Sequence, residues 1–308
     1  MTDFCPEGSR LDRPENIAAR RSPEALMRAR DEGMILEATA SLCDSGHNLC
    51  VALGCMRGVI PREEGALGIR EGTVRDIAIL SRVGRPVCFT VTDIVRHGGE
   101  PLAILSRAAV QRRCVDEYLT ALSPGDIIPA RVTHLEPFGA FCDVGCGMAA
   151  LMPIDAISVS RIVHPRERFT VGMSIRAVIK SRVGSRITLS HKELLGTWAE
   201  NASRFAVGET VTGVVRSIEN YGVFVELTPN LAGLAEPREG LTVGSLVSVY
   251  IKNIIPSRMK VKLIIIDTLA ALPPIAEPEY MIAEGHIDRF VYSPSDCMKV
   301  VATDFLPQ

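Results

Sequence analysis

The sequence predicts an all-β protein of three small five-stranded barrels in tandem, with short helical linkers, an N-terminal helix and a small C-terminal appendage. Two observations carry that prediction. From Gly33 onward the chain runs as short alternating or β-branched segments separated by Gly, Pro and charged clusters, a pattern of strands and turns. Those segments also repeat. "SPGDIIPARVTHLEPFGAFCDVGCGMAALMPI" (123–154) aligns with "FAVGETVTGVVRSIENYGVFVELTPNLAGLAEP" (205–237), and each continues into a second strand pair opened by Val-Gly, at 169–190 and 241–263. A fainter copy occupies 31–61 and 82–106. Each copy has five strand-length segments with its longest irregular stretch between the third and fourth, the rhythm of a closed Greek-key barrel of the OB type.

In chain order, residues 1–32 form an N-terminal segment in which "SPEALMRARD" places Ser22 as a cap and Pro23 at the first helical position, predicting a helix over 22–31. Residues 33–112 are a degenerate barrel, 113–196 a second barrel with its preceding linker, and 197–266 a third. "RAAVQRRCVDEYLTAL" (107–122) and "HKELLGTWAENASR" (191–204) have helical composition and are expected to act as semi-rigid spacers. Residues 267–308 read as a proline-rich linker and a small element, with a helix expected near 295–301.

Bulk properties narrow the function. A hydrophobic fraction of 47% suits folded domains, and the formal charge of −2 confines any polyanion site to a local patch. No apolar run approaches the roughly 18 to 20 residues of a membrane helix, and the first residues lack a signal-peptide core, so no membrane contact and a cytoplasmic location are expected. Nine cysteines without a CxxC pair disfavour a disulfide framework and predict reduced thiols.

The strong copies share Gly, an apolar alternation, aromatic-Gly-x-Phe, a short strand, Val-Gly and, in the second, "RITLSHKEL" before Trp198. This pattern resembles the S1 RNA-binding domain family over residues 33 to about 265, and the tandem arrangement is similar to that of the bacterial ribosomal proteins built from S1 domains. The resemblance implies single-stranded RNA bound on one barrel face by two aromatics, a His after the third strand, and an Asp and an Arg near the last. In the second repeat Phe138, Phe141 and Arg186 match, while Pro153 stands at the His position and Arg182 at the Asp position. In the third, Tyr221 and Phe224 match and Lys260 replaces the Arg, but Glu236 and Pro256 replace His and Asp. In the first, His47 and Cys50 stand where the aromatics belong, Pro61 replaces the His and Leu102 the Arg. The first barrel is therefore expected to dock protein or to act as a spacer.

Phe138 and Phe141, like Tyr221 and Phe224, lie three apart with a glycine between. On a regular strand such residues point to opposite faces. For both rings to offer stacking surfaces to unpaired bases, the strand is expected to bulge or coil sharply at Gly139 and Gly222. The competing reading puts one ring of each pair in the barrel core; the repetition of the whole motif with a basic residue at the matching place favours stacking. Arg182 and Arg186 are expected to flank the rings of the second barrel, with Arg182 adding a phosphate contact, and Arg258, Lys260 and Lys262 to share one basic face of the third.

Other chemistry is thinly represented. Cys142 and Cys146 have no evident third ligand, so no metal is expected, and His191 and His286 lack a nucleophile at telling spacing. There is no P-loop or nucleophile elbow, which predicts a non-enzyme without cofactor. The expected function is non-catalytic binding of single-stranded RNA, and the resemblance implies messenger RNA and the small (30S) ribosomal subunit as partners. The alternative is a protein-interaction scaffold of degenerate barrels with little RNA affinity.

Overall fold

In the computed structural model, which describes residues 4–184, 186–270, 275 and 277–305, the alternating segments close into three five-stranded barrels. All have the same strand order. The first strand pairs antiparallel with the second and the fourth, and the third closes on the fifth in parallel. No helix among the described residues is long and apolar enough to cross a membrane.

The chain divides into two compact units, the first of which comprises residues 1–122 and 143–149. It begins with α1 (Pro14–Ala19), which the sequence pattern does not predict, and α2 (Pro23–Asp31), where Ser22 caps as expected by accepting from the Ala25 N–H at 3.2 Å. The first barrel follows as β1 (Leu36–Cys43), β2 (Leu49–Ala52), β3 (Arg57–Ile60), β4 (Pro86–His97) and β5 (Glu100–Ser106). The long excursion before β4 contains α3 (Ile77–Leu80), and α4 (Arg107–Glu117) leaves β5 with Ser106 as its cap. Leu36, Leu49, Ile60, Phe89 and Leu105 fill the barrel, and Leu26 of α2 joins them.

This unit also buries charge. Glu7 accepts from Arg107 Nε at 2.7 Å and from a second guanidinium nitrogen at 3.0 Å, and takes the Cys88 N–H at 3.1 Å. Burial alone would raise the Glu7 pKa, but the charge and hydrogen bonds of Arg107, with Arg82, outweigh it and hold the carboxyl below its usual range. Asp143 accepts from the N–H groups of Glu7, Gly145 and Gly147 at 2.7, 2.8 and 3.0 Å. Burial and the charge of Glu7 push it up to about 7. Gly147 is obligatory: a Cβ there would lie 1.9 Å from the Arg107 guanidinium.

The second unit holds β6 (Ile127–Glu136), β7 (Gly139–Asp143) up to Cys142, β8 (Ala149–Pro153) from Ala150, β9 (Ser174–Val183) and β10 (Arg186–Ser190), then α5 (Trp198–Ala202), then β11 (Thr210–Glu219), β12 (Gly222–Thr228), β13 (Leu231–Ala235), β14 (Leu246–Ile255) and β15 (Lys260–Leu269). Trp198 is buried in one core with Val215, Val225 and Val249 of the third barrel.

The tail belongs to that same core through Phe290, Tyr292 and Phe305. β16 (Arg289–Val291) pairs with β17 (Ala302–Asp304), and residues 295–301 form turns instead of the expected helix. The reason is hydrogen bonding: Tyr292 N–H donates to the Val301 carbonyl at 2.9 Å, and Val301 N–H donates to Ser293 Oγ at 3.0 Å, closing a loop in place of a helical turn. Pro273 and Pro274 of the expected linker lie outside the described residues.

Buried His191 links tail and barrel. Its Nδ1–H donates to the Ile157 carbonyl at 3.0 Å, which leaves Nε2 as an acceptor 3.3 Å from Tyr280 Oη. Burial, added to by Arg168 and opposed by the Ile157 bond, pushes the imidazole down to about 4. A depressed histidine stabilises the fold fully above its unfolded pKa near 6.5 and loses that contribution as pH falls to about 4. Unfolding free energy is expected to drop by about 3 kcal/mol over that window on account of His191, and urea titrations of His191→Gln should show a shallower acid limb.

Candidate nucleic-acid interface

The two ring pairs occupy the same place in both strong barrels. Glu219 pairs with Gly222, so Asn220 and Tyr221 form a two-residue hairpin turn, and Pro137 and Phe138 do the same between β6 and β7. Phe224 and Phe141 follow on the outer face of β12 and β7. The centroids are 6.1 Å apart in Phe138–Phe141 and 6.2 Å in Tyr221–Phe224, and both pairs are perpendicular. The turn residues Phe138 and Tyr221 are 55% and 67% exposed, so neither is core; their partners are half-buried.

This corrects the expected bulge. The first ring of each pair lies in the turn, and strand alternation is not violated between them. The glycine serves a different need, close approach of the next strand. A Cβ on Gly139 would sit 2.4 Å from the Met152 carbonyl oxygen, and one on Gly222 2.5 Å from that of Ala235.

Strand register then aligns the outer face. In the third barrel Ser217, Phe224, Leu234, Lys262 and Asn253 are successive cross-strand partners, so a lysine stands two strands from the inner ring. Lys260 lies two residues away on the same face, opposite Ile255. In the second barrel Leu151, Thr188 and Ser181 occupy the matching row, and Arg186 takes the place of Lys260.

Two expectations about cations change. Arg186 is paired with Val183, whereas Arg182 is opposite inward-facing Ile187; the arginines therefore leave opposite faces of the β9–β10 hairpin, both exposed at its tip. Arg258 lies in a 3-10 turn (Pro256–Arg258) that ends in Met259 at φ 48°, outside the strand of Lys260 and Lys262. Another arginine, Arg168, is buried in an ion-pair network with Glu226, Arg216 and Glu167.

The structure adds His134, whose ring lies 6.4 Å from Phe141 with Nε2 2.7 Å from Glu136. Simple alternation after buried Val132 puts Thr133 outward and His134 inward, so the sequence carried no signal for it. The first barrel presents the row Leu42, Cys50, Val59 and Ile104, with Leu102 where the others carry a cation. His47 is held in its loop by Asp76 at 3.1 Å, which also binds Arg62. That row has neither ring nor cation. Among the described residues, no three of His, Cys, Asp and Glu are grouped to hold a metal ion.

The family model of the S1 RNA binding domain matches residues 122–192. Small ribosomal subunit protein bS1 of Staphylococcus aureus (strain COL) is 30% identical over 271 residues, 82% of this chain and 66% of the relative. That of Staphylococcus saprophyticus is 32% identical over 184 residues, 54% of this chain and 47% of the relative. The chain thus spans just under two thirds of the first relative's length. Among solved structures, a multidomain protein with nucleic acid binding domains from Streptococcus pneumoniae TIGR4 matches 79% of this chain and 76% of its own at 13% identity and a TM-score of 0.26.

Proposed function

As an S1-domain protein homologous over most of its length to bacterial small-subunit ribosomal protein bS1, this chain, we propose, is a non-catalytic binder of single-stranded RNA. The observation that carries the reading is the perpendicular ring pair built twice at one hairpin position, each with a cation two strands away on the same barrel. Phe138, Phe141, Tyr221 and Phe224 provide faces for unpaired bases, and Arg186, Lys260 and Lys262 meet the phosphates. Arg182 reaches the strand from the other side of its hairpin tip. Contacts of this kind carry little sequence preference, which suits messenger RNA held near the small ribosomal subunit in the cytoplasm. The first barrel, lacking rings and cations in the same row, is assigned to protein docking.

Fluorescence anisotropy of the full chain with a labelled unstructured RNA at several salt concentrations tests this. Affinity is expected to fall with salt, and Lys260→Gln/Lys262→Gln to reduce the slope of log K against log salt by about 1.4, near 0.7 for each phosphate of a single strand that the variant no longer neutralises. A chain that fails to bind at low salt would be a protein scaffold instead.

A further inference from the structure

The ring pair of the second barrel has a neighbour that the third barrel lacks. His134, on β6, has a side chain 61% exposed, and its imidazole lies 6.4 Å from the Phe141 ring at an interplanar angle of 34°. Phe141 therefore contacts two rings, Phe138 at 6.1 Å and His134 at 6.4 Å, and the three form one continuous patch. The repeat aligns His134 with Ser217, which pairs with Phe224 between β11 and β12. That pairing is reached through a register shift beside Arg216, the counterpart of Thr133. A serine satisfies the barrel at this place, so the fold does not require a ring there.

Glu136 fixes the imidazole. Its carboxylate lies 2.7 Å from Nε2 and can only accept, so Nε2 carries a proton, while Nδ1 has no partner among the described residues. An ion pair this exposed adds little to stability. What it does supply is a ring already held beside Phe141, which loses less freedom when a flat partner settles on it. Imidazole is among the side chains on which unpaired bases stack, and the open Nδ1 can accept from an amino or imino N–H of such a base. We infer that His134 is a third stacking position of the second barrel, which thereby holds one unpaired base more than the third barrel. Glu136 is its positioning residue. The inference rests on the reading of the ring pairs as RNA platforms.

Anisotropy of the full chain with a labelled unstructured RNA at fixed salt tests it through three variants. His134→Ala removes the ring, His134→Phe keeps a ring but not the bond to Glu136, and Ser217→His places an imidazole opposite Phe224 with Glu219 two residues on, as Glu136 follows His134. Affinity is expected to fall about fivefold in His134→Ala, the lower end of what one stacked base contributes, to stay within twofold of the parent in His134→Phe, and to rise about fivefold in Ser217→His. A gain on transplanting the ring is something that a merely structural His134 would not produce. An Ala variant within twofold of the parent, a Phe variant as weak as the Ala variant, or a Ser217→His chain without gain overturns the inference. If Phe141→Ala/Phe224→Ala nevertheless weakens binding, the RNA reading stands and His134 alone is removed from it; a parent chain that binds no RNA overturns both.

Discussion

Replacing Phe141 and Phe224 together by alanine is expected to weaken the binding of unstructured RNA by about a hundredfold at fixed salt. Stacking on an aromatic side chain contributes roughly 1 to 3 kcal/mol per base, so even the lower bound for two rings exceeds tenfold. Both residues are half-buried on the outer faces of β7 and β12, and their removal also abolishes the perpendicular packing on Phe138 and Tyr221. The more exposed pair, Phe138→Ala/Tyr221→Ala, therefore provides a second test with little cost in stability. Anisotropy should show both double variants impaired, while the salt dependence, which reports the cations, is preserved. Unchanged affinity in both would remove the ring pairs from recognition.

Glu7→Ala is expected to destabilise the first unit by about 3 to 5 kcal/mol, because it leaves Arg107, 3% exposed, as an uncompensated buried charge. It also strips the Cys88 N–H of its acceptor. Urea unfolding of the full chain should show an early transition from the first unit, with the second unit's transition unmoved. Glu7→Leu/Arg107→Met, which removes both charges and restores apolar volume, should recover much of the loss. A cost below about 1 kcal/mol for Glu7→Ala would mean that Arg82 and Asp143 re-form the network without it.

The legible part of the protein was the part written in short-range pattern. The Ser22 cap, the alternating strands and the helical composition after Ser106 all rest on neighbours a few residues apart, and each forms where the sequence placed it. The tail illustrates the opposite case. Residues 295–301 had the composition of a short helix, but the core positions taken by Phe290, Tyr292 and Phe305 hold their flanking strands together, and the loop between closes through Ser293 and Val301. His191 looked solitary because its partners, the Ile157 carbonyl and Tyr280 Oη, are remote in the chain.

The candidate interface divides in the same way. The residues Phe138, Phe141, Tyr221 and Phe224 could be named from the sequence, since a repeated motif keeps its spacing whatever surrounds it. How each pair comes to share a face could not. That followed from a hairpin turn at the first ring and from the backbone of the neighbouring strand pressing on Gly139 and Gly222.

By itself, then, the sequence determined the three barrels, their order and the aromatic pairs, because periodicity and turn chemistry act locally. Tertiary structure decided which cations line up with the rings. Register shifts beside Arg216 and Lys252 set the pairing of β11 and β14 with their neighbours, and each shift of one residue exchanges the faces of a strand. It decided likewise that Arg168 would be buried, since burial of a charge depends on which distant carboxylates fold against it.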